Sequence, residues 1–368
     1  MDSIGTTKLD ADKALGLLGK WGLYQHWIFW LGNAVWIFNG LHLMATAFLG
    51  STPPFECANT RLDNASSLTQ FSNQCELPLN STEESIKCGD NGTQLVYDKT
   101  FGDTIVSTWN LVCDRAYLSE LAASAFFLGF LIGSIMAPAL ADRFGRRRPL
   151  IIYLIGLAWS GSLLGFSPTY ELFVLLRIVS GIFVSGVGVT GWVLACEAIE
   201  PSLRAWATFA QGLWWTTGYC LMGVVAYILP NWRSMALGFG LPCWLGLLYY
   251  WLVPESLHYL VATDRVEDAE AWILRAARCN KVDIKLDNCY SPTVETKIVK
   301  KKSFTDIFKS PVLLVQICLM SYIWFANCLV YYGLSLFTTQ LAGDRYLNYI
   351  LSGIIEFPAY FVLSLLLN

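Results

Sequence analysis

Eight long apolar runs constrain this chain more than any other feature. They cover approximately Tyr24–Leu49, Leu118–Leu140, Leu150–Phe166, Leu172–Cys196, Ala205–Leu229, Met235–Val253, Pro311–Phe337 and Leu347–Leu367. Crossing the hydrocarbon core of a bilayer takes about 20 mostly apolar residues as a helix, and every run but the short third comes close to that length. Within lipid each backbone N–H and C=O needs a partner inside its own segment or inside a closed barrel. The runs lack the two-residue alternation of barrel strands, so helix is the remaining choice. Composition agrees: 14% of residues are charged and 55% hydrophobic, whereas a soluble domain carries about a quarter charged. A net charge of −3 argues against a nucleic-acid partner. The segment Met1 to Lys20 is polar and mixed in charge and does not read as a cleavable signal peptide. The chain is expected to be an all-α membrane protein with about eight spans.

Basic residues set the expected orientation. Arg143, Arg146, Arg147 and Arg148 crowd the link after the second run, and Lys297, Lys300, Lys301 and Lys302 sit in the long link after the sixth. The positive-inside rule places both links in the cytosol, together with the N-terminal segment 1–23. The loop 51–117 then lies outside. That loop holds Cys57, Cys75, Cys88 and Cys113, and three N-x-Ser/Thr sequons at Asn64, Asn80 and Asn91. Four clustered cysteines suggest two disulfides with three connectivities open, and the sequons suggest glycosylation. Both features belong to an oxidising, extracellular face, and they reach the same orientation without using the arginines. The expected organisation is a six-helix half over 24–253, a cytosolic linker over 254–310 and two further helices over 311–368. Within the linker, Glu267 to Cys279 has an amphipathic pattern, with Ala271, Ile273, Leu274 and Ala277 on the apolar side.

The sharpest motif is Ala141-Asp142-Arg143-Phe144-Gly145-Arg146-Arg147-Arg148, closing the second run. Gly145 suits a short turn, and Asp142 at a helix end can pair with a base or with the positive N-terminus of a neighbouring helix. No Walker loop, zinc spacing or dinucleotide fingerprint is present, so neither an enzyme nor a cofactor is expected. His26, His42 and His258 are isolated in sequence and form no metal set.

The motif resembles the signature loop of the major facilitator superfamily, G-x-L-A-D-R-x-G-R-[KR], with Pro138 standing where the family has glycine. Gly19-Lys20-Trp21-Gly22-Leu23-Tyr24-Gln25 is similar to the entry into the first helix of organic cation and carnitine transporters (solute carrier family 22). So is the cysteine-bearing first loop ending Trp109-Asn110-Leu111-Val112-Cys113-Asp114. Pro254-Glu255-Ser256-Leu257-His258-Tyr259-Leu260 resembles that family's P-E-S-P-R-W-L, with departures at Leu257, His258 and Tyr259. Val330-Tyr331-Tyr332-Gly333-Leu334-Ser335 and Glu356-Phe357-Pro358-Ala359-Tyr360 resemble its seventh and eighth helices. The resemblance implies a major facilitator-like helix bundle: the N-terminal six-helix half plus the first two helices of the C-terminal half. It also implies a plasma-membrane carrier of small organic ions, working by alternating access.

Ionisable residues inside spans are costly and mark candidate sites. Glu356 lies about ten residues into the eighth run, near mid-membrane at a rise of about 1.5 Å per residue. A carboxylate there can offset the lost hydration of an organic cation, and its Glu-x-Pro-Ala-Tyr context implies cations or zwitterions such as carnitine. Tyr331 and Gln211 match cavity positions of the family, and Trp192 offers a π face to an ammonium group. Trp214, Trp215, Trp324, Phe325 and Tyr332 are further aromatic candidates. Arg177 matches a family arginine given a structural or coupling role. Glu197 matches a family acid that pairs with Arg143, Arg147 or Arg204 as an inner gate.

Superfamily carriers have twelve helices, and this chain ends where the second half's own signature loop would begin. The expectation is therefore a truncated carrier unable to transport alone. Alternatives are a membrane regulatory subunit and an organic anion or sugar facilitator of the same fold. The extracellular loop is the expected contact if copies self-associate.

Overall fold

The computed structural model describes residues 7–19, 21–59, 75–78, 85–88, 93–292 and 310–366. The expected glycosylation sites Asn64, Asn80 and Asn91 lie outside the described residues.

The first described elements are a short strand β1 (Thr7–Leu9) and helix α1 (Ala11–Leu17), whose N-cap Asp10 accepts from the backbone N–H of Asp12 and Lys13. The first apolar run forms three abutting helices, α2 (Leu23–Ala34), α3 (Trp36–Met44) and α4 (Thr46–Leu49). A cap follows, built from two hairpin-like pairs. Strand β2 (Phe55–Asn59) pairs antiparallel with β5 (Thr93–Tyr97), and β3 (Glu76–Pro78) pairs with β4 (Ser85–Lys87). The cysteines of the cap form Cys57–Cys88 and Cys75–Cys113, choosing one of the three open connectivities. Helix α5 (Ile105–Trp109), opened by a Thr104/Ser107 capping box, docks the cap on the bundle. Its Trp109 packs 5.2 Å from the ring of buried Trp232 and 5.5 Å from Phe173, and Trp232 Nε1 donates to the Thr108 hydroxyl at 2.9 Å.

Then come the long helices α6 (Tyr117–Phe144), α7 (Arg147–Leu164), α8 (Tyr170–Glu197) and α9 (Arg204–Ile228). The sixth run comprises α10 (Trp232–Gly240), a 3₁₀ stretch through Leu241–Leu248 and α11 (Tyr249–Leu252). Two helices, α12 (Leu257–Ala262) and α13 (Val266–Asn280), belong to the linker, and strand β6 (Tyr290–Pro292) pairs antiparallel with β1. The last two helices are α14 (Pro311–Phe337) and α15 (Arg345–Leu366).

Among the described residues, six segments are long and apolar enough to cross a membrane: Leu23–Leu49, Cys113–Phe144, Tyr170–Glu197, Trp232–Leu252, Pro311–Gln340 and Arg345–Leu366. The other two expected spans are continuous helices but less apolar. Helix α7 begins inside the arginine cluster, and α9 carries Arg204, Gln211, Thr216 and Thr217. Their polar positions are accommodated by a neighbouring segment or by their own helix: Trp244 Nε1 donates to Ser162 on α7, and Thr217 donates to the Leu213 carbonyl within α9.

The pair α6 and α8 forms the most extensive helix contact. It depends on small residues that let two backbones touch: a Cβ at Gly129 would fall 1.9 Å from the Ile178 carbonyl oxygen. Helix α14, by contrast, leaves nearly all its apolar side chains exposed, a surface that lipid can cover.

The linker helix departs from its expected register. Ala269, Trp272, Ile273, Ala276 and Ala277 are buried on α13, whereas Ala271 and Leu274 are exposed. The i, i+3, i+4 stripe runs through Trp272, whose ring packs edge-on against Tyr24 at 5.2 Å, and this large contact fixes the buried face. The N-terminal segment and the linker, read separately from sequence, are joined by the β1–β6 pair and by Lys13 donating to the Tyr290 carbonyl at 2.7 Å.

Candidate functional site

Three helices bring polar groups together inside the apolar bundle. Glu356 stands on α15, eleven residues past its first residue, which at about 1.5 Å per residue is some 16 Å along the axis. Tyr331 on α14 donates its hydroxyl to Glu356 Oε1 at 2.7 Å. Trp215 on α9 donates Nε1 to the Tyr331 oxygen at 3.1 Å, completing a chain of two hydrogen bonds that ends on the carboxylate. Thr216, the next residue of α9, reaches Glu356 Oε2 at 3.5 Å. Aromatic rings surround the chain: Trp36 lies edge-on to Trp215 at 6.3 Å, and Tyr332 lies 5.1 Å from Tyr331 and 5.2 Å from Phe127. Among the described residues no lysine, arginine or histidine nitrogen lies within 4.0 Å of the Glu356 oxygens. Among the described residues the carboxylate therefore has hydrogen-bond donors and no counter-ion, beside a cluster of aromatic rings.

The expected site residues fall into two groups. Glu356 and Tyr331 meet. Gln211 is half-buried one helical turn before Trp215, on the same side of α9. Trp192 packs elsewhere, against a small cluster of Phe29, Ala195, Ile199, Ala207 and Ala210. Among the other aromatic candidates, Trp215 and Tyr332 join the site, while Trp324 and Phe325 are exposed on α14. Sequence reading missed Thr216; a hydroxyl beside a tryptophan in an apolar helix is too common a pair to stand out.

A second polar cluster sits at the junction of α6, α7, α8 and the linker. Gly145 makes the turn between α6 and α7 at φ 92°, and a Cβ there would also strike the Glu255 carboxylate at 2.2 Å. Glu255 Oε1 accepts from the backbone N–H groups of Arg146 at 2.7 Å and Arg147 at 3.1 Å, so an acid from the linker caps the start of α7. Arg146 reaches Asp142 at 3.1 Å and Glu197 at 3.0 Å. Ser256 donates to the other Glu197 oxygen. Arg146 thus replaces the partners expected for Glu197. Arg143 lies over Phe144, Arg147 over Tyr250, and Arg204 faces Asp12 at 3.7 Å. Arg146 wins because it follows Asp142 by one turn and points inward, with 13% of its side chain exposed. His258 is not isolated: Nε2 is 3.1 Å from Asp12 and Nδ1 is 3.1 Å from the Glu197 carbonyl. Arg177 is buried in α8, away from both clusters, against Thr46 and the Phe126 ring.

A family model for sugar (and other) transporters matches residues 62–367. An organic cation transporter protein of Drosophila melanogaster is 32% identical over 388 residues, covering 97% of this chain and 70% of the relative. The chain belongs to this transporter family, on its organic cation (solute carrier family 22) branch. The human organic cation/carnitine transporter 2 is 29% identical, covering 98% of this chain and 71% of that protein. A putative transporter of Caenorhabditis elegans is 33% identical over 72% of this chain and 54% of its own length, so the chain spans between about half and 71% of these relatives. In fold, the chain resembles the major facilitator superfamily proton:xylose symporter XylE, with a TM-score of 0.57 at 17% identity, covering 93% of this chain and 68% of that one. The likeness shows the fold, a major facilitator helix bundle. The family match and the six apolar segments make the chain a multi-pass membrane protein, and the family is one of transporters, not enzymes.

Proposed function

We propose that this chain binds small organic cations or zwitterions, with carnitine-like ammonium compounds as the class, and takes part in carrying them across the plasma membrane by alternating access. The observation that carries the reading is Glu356: an acid in the middle of an apolar helix, held by Tyr331 and Thr216, without a counter-ion among the described residues. A quaternary ammonium supplies the missing positive charge and needs no hydrogen-bond acceptor. The aromatic cluster of Trp36, Trp215 and Tyr332 beside it is the kind of lining that receives such a cation. Gln211 adds a neutral polar contact on the same side of α9. On this reading the cluster of Asp142, Arg146 and Glu197 joins α6 to the end of α8 as the inner gate, with Arg143, Arg147 and Arg204 at its rim. The N-terminus is cytosolic and the disulfide-bonded cap is extracellular, following the arginines and lysines of the two basic links.

Equilibrium binding to the purified 368-residue chain tests the proposal, using radiolabelled tetraethylammonium, carnitine, an aromatic organic anion and glucose. Saturable binding of the first two, each competing with the other, is the expected result. Saturable binding of the anion or of glucose, with neither ammonium compound bound, overturns it.

A further inference from the structure

Arg177 presents the opposite problem to Glu356. Its side chain is 1% exposed, inside a bundle that sits in lipid, and a bare guanidinium is costly there. Nη2 donates to the Thr46 hydroxyl, Nη1 lies 3.5 Å from the His42 carbonyl, and the Phe126 ring covers the group at 4.2 Å. Among the described residues no carboxylate oxygen comes within 4.0 Å of it. Carbonyl, hydroxyl and π face each carry only partial negative charge, so they leave most of a unit charge uncompensated.

A cavity of about 10 Å³ adjoins the guanidinium, lined by Thr46, Gly50, Ser119, Ala122, Phe173 and Arg177. That volume is at the lower bound for a single water molecule. A halide is somewhat larger, so the flexible Ser119 and Arg177 side chains have to give way to admit it. Thr46 is 8% exposed and Ser119 7%, so the cavity joins a buried cation to two buried hydroxyls. The Ser119 hydroxyl donates a hydrogen bond to the Gly50 carbonyl at 3.0 Å, and rotation about Cα–Cβ or Cβ–Oγ turns it toward the cavity. The small volume excludes a multi-oxygen anion, and the apolar remaining walls favour a weakly hydrated ion. The cavity lies where α4 ends at Leu49 and α6 starts at Tyr117, the side of the bundle that carries the disulfide-bonded cap.

We propose that Arg177, with the Thr46 and Ser119 hydroxyls, forms a binding site for a monatomic anion, chloride or bromide. The bound anion neutralises Arg177 and locks α4, α6 and α8 together. The site is separate from Glu356 and does not depend on what the carrier transports.

Thermal unfolding of the purified chain, followed by tryptophan fluorescence, tests the proposal. Samples in sodium chloride or sodium bromide are compared with sodium gluconate at equal ionic strength. The expected result is a Tm that rises by a few degrees and saturates with chloride and bromide, as for any ligand that binds only the folded state. Ser119→Val and Ala122→Val fill the cavity while leaving Arg177 in place; at least one is expected to keep the gluconate Tm and lose the halide response. Glu356→Gln is expected to retain it. Equal melting in halide and gluconate means that the cavity holds water only and overturns the proposal. A halide response that survives in a folded, cavity-filled variant overturns it as well.

Discussion

The charges near the linker and the charges inside the spans obey opposite rules. At the junction of α6, α7, α8 and the linker, acids meet bases or helix ends: Asp142 and Glu197 share Arg146, Glu255 caps α7, and Asp12 faces Arg204 and His258. Deep in the bundle, Glu356 and Arg177 each lack a counter-ion among the described residues. Desolvation makes the second arrangement far more costly than the first. A charge kept unpaired at that cost is available to a ligand, whereas a paired one serves the fold. Substitutions in the two regions should therefore fail in different ways.

The largest effect is expected at Glu356. Glu356→Gln keeps the shape and removes the charge. Losing one partner of a buried charge contact costs about 2 kcal/mol or more, so tetraethylammonium binding should weaken about 30-fold or beyond. The Tm of the ligand-free chain should hold or rise, because the burial penalty of the carboxylate disappears with its charge. A lowered Tm with unchanged affinity would move Glu356 into the structural class and break the contrast.

Arg146→Ala is the counterpart in the paired region. It strands Asp142 and Glu197 together at the end of two helices, with Glu197 only 17% exposed. A loss of about 1–3 kcal/mol in stability is expected, read as a lower midpoint in thermal or denaturant unfolding. Ammonium affinity of the folded fraction should be unchanged. A selective loss of affinity at constant stability would mean that the inner cluster is coupled to the site.

Tyr331→Phe should have a smaller effect and separates the two classes within one site. It removes the donor to Glu356 and leaves Trp215 Nε1 without its acceptor, but retains the ring. An affinity change of about tenfold or less is expected, since a hydrogen bond to a charged group contributes about 1.5–3 kcal/mol and Thr216 and water replace part of it. An effect as large as that of Glu356→Gln would assign the charge recognition to the pair.

What the sequence disclosed follows the same division. Apolar runs, basic links and a lone mid-span acid are local properties, so the spans and Glu356 were legible. Tyr331 was legible through resemblance. The azimuth of one helix against another was not: Trp215 and Tyr331 meet across 116 residues, and Arg146 meets Glu255 across 109. Four arginines in six residues offer equivalent charges to Glu197, and only the turn at Gly145 decides that Arg146 points inward. The neighbours of Trp192 were illegible for a related reason, because an aromatic in an apolar helix has no sequence mark for what it will pack against. The buried face of α13 was misread because alanine is weakly informative, and Trp272 was left out of the apolar stripe.

The smallest effect is expected at the rim, and it tests whether pairing alone marks a structural role. Asp12 is half-exposed, 3.7 Å from Arg204 and 3.1 Å from His258 Nε2, on the first turn of α1. Exposed ion pairs contribute about 0–1 kcal/mol because water screens them and long side chains lose freedom in forming them. Asp12→Asn keeps a polar group facing His258 and should lower Tm by no more than about 2 °C, with ammonium affinity unchanged. Here α1 is held chiefly by burial of Ala11, Ala14 and Leu15 and by the β1–β6 ladder, none of which the substitution touches. A larger drop in Tm would show that the charge pair holds the N-terminal segment against the end of α8, through His258 and the Glu197 carbonyl. A change in affinity would go further, making that segment part of the inner gate and extending function into the paired region.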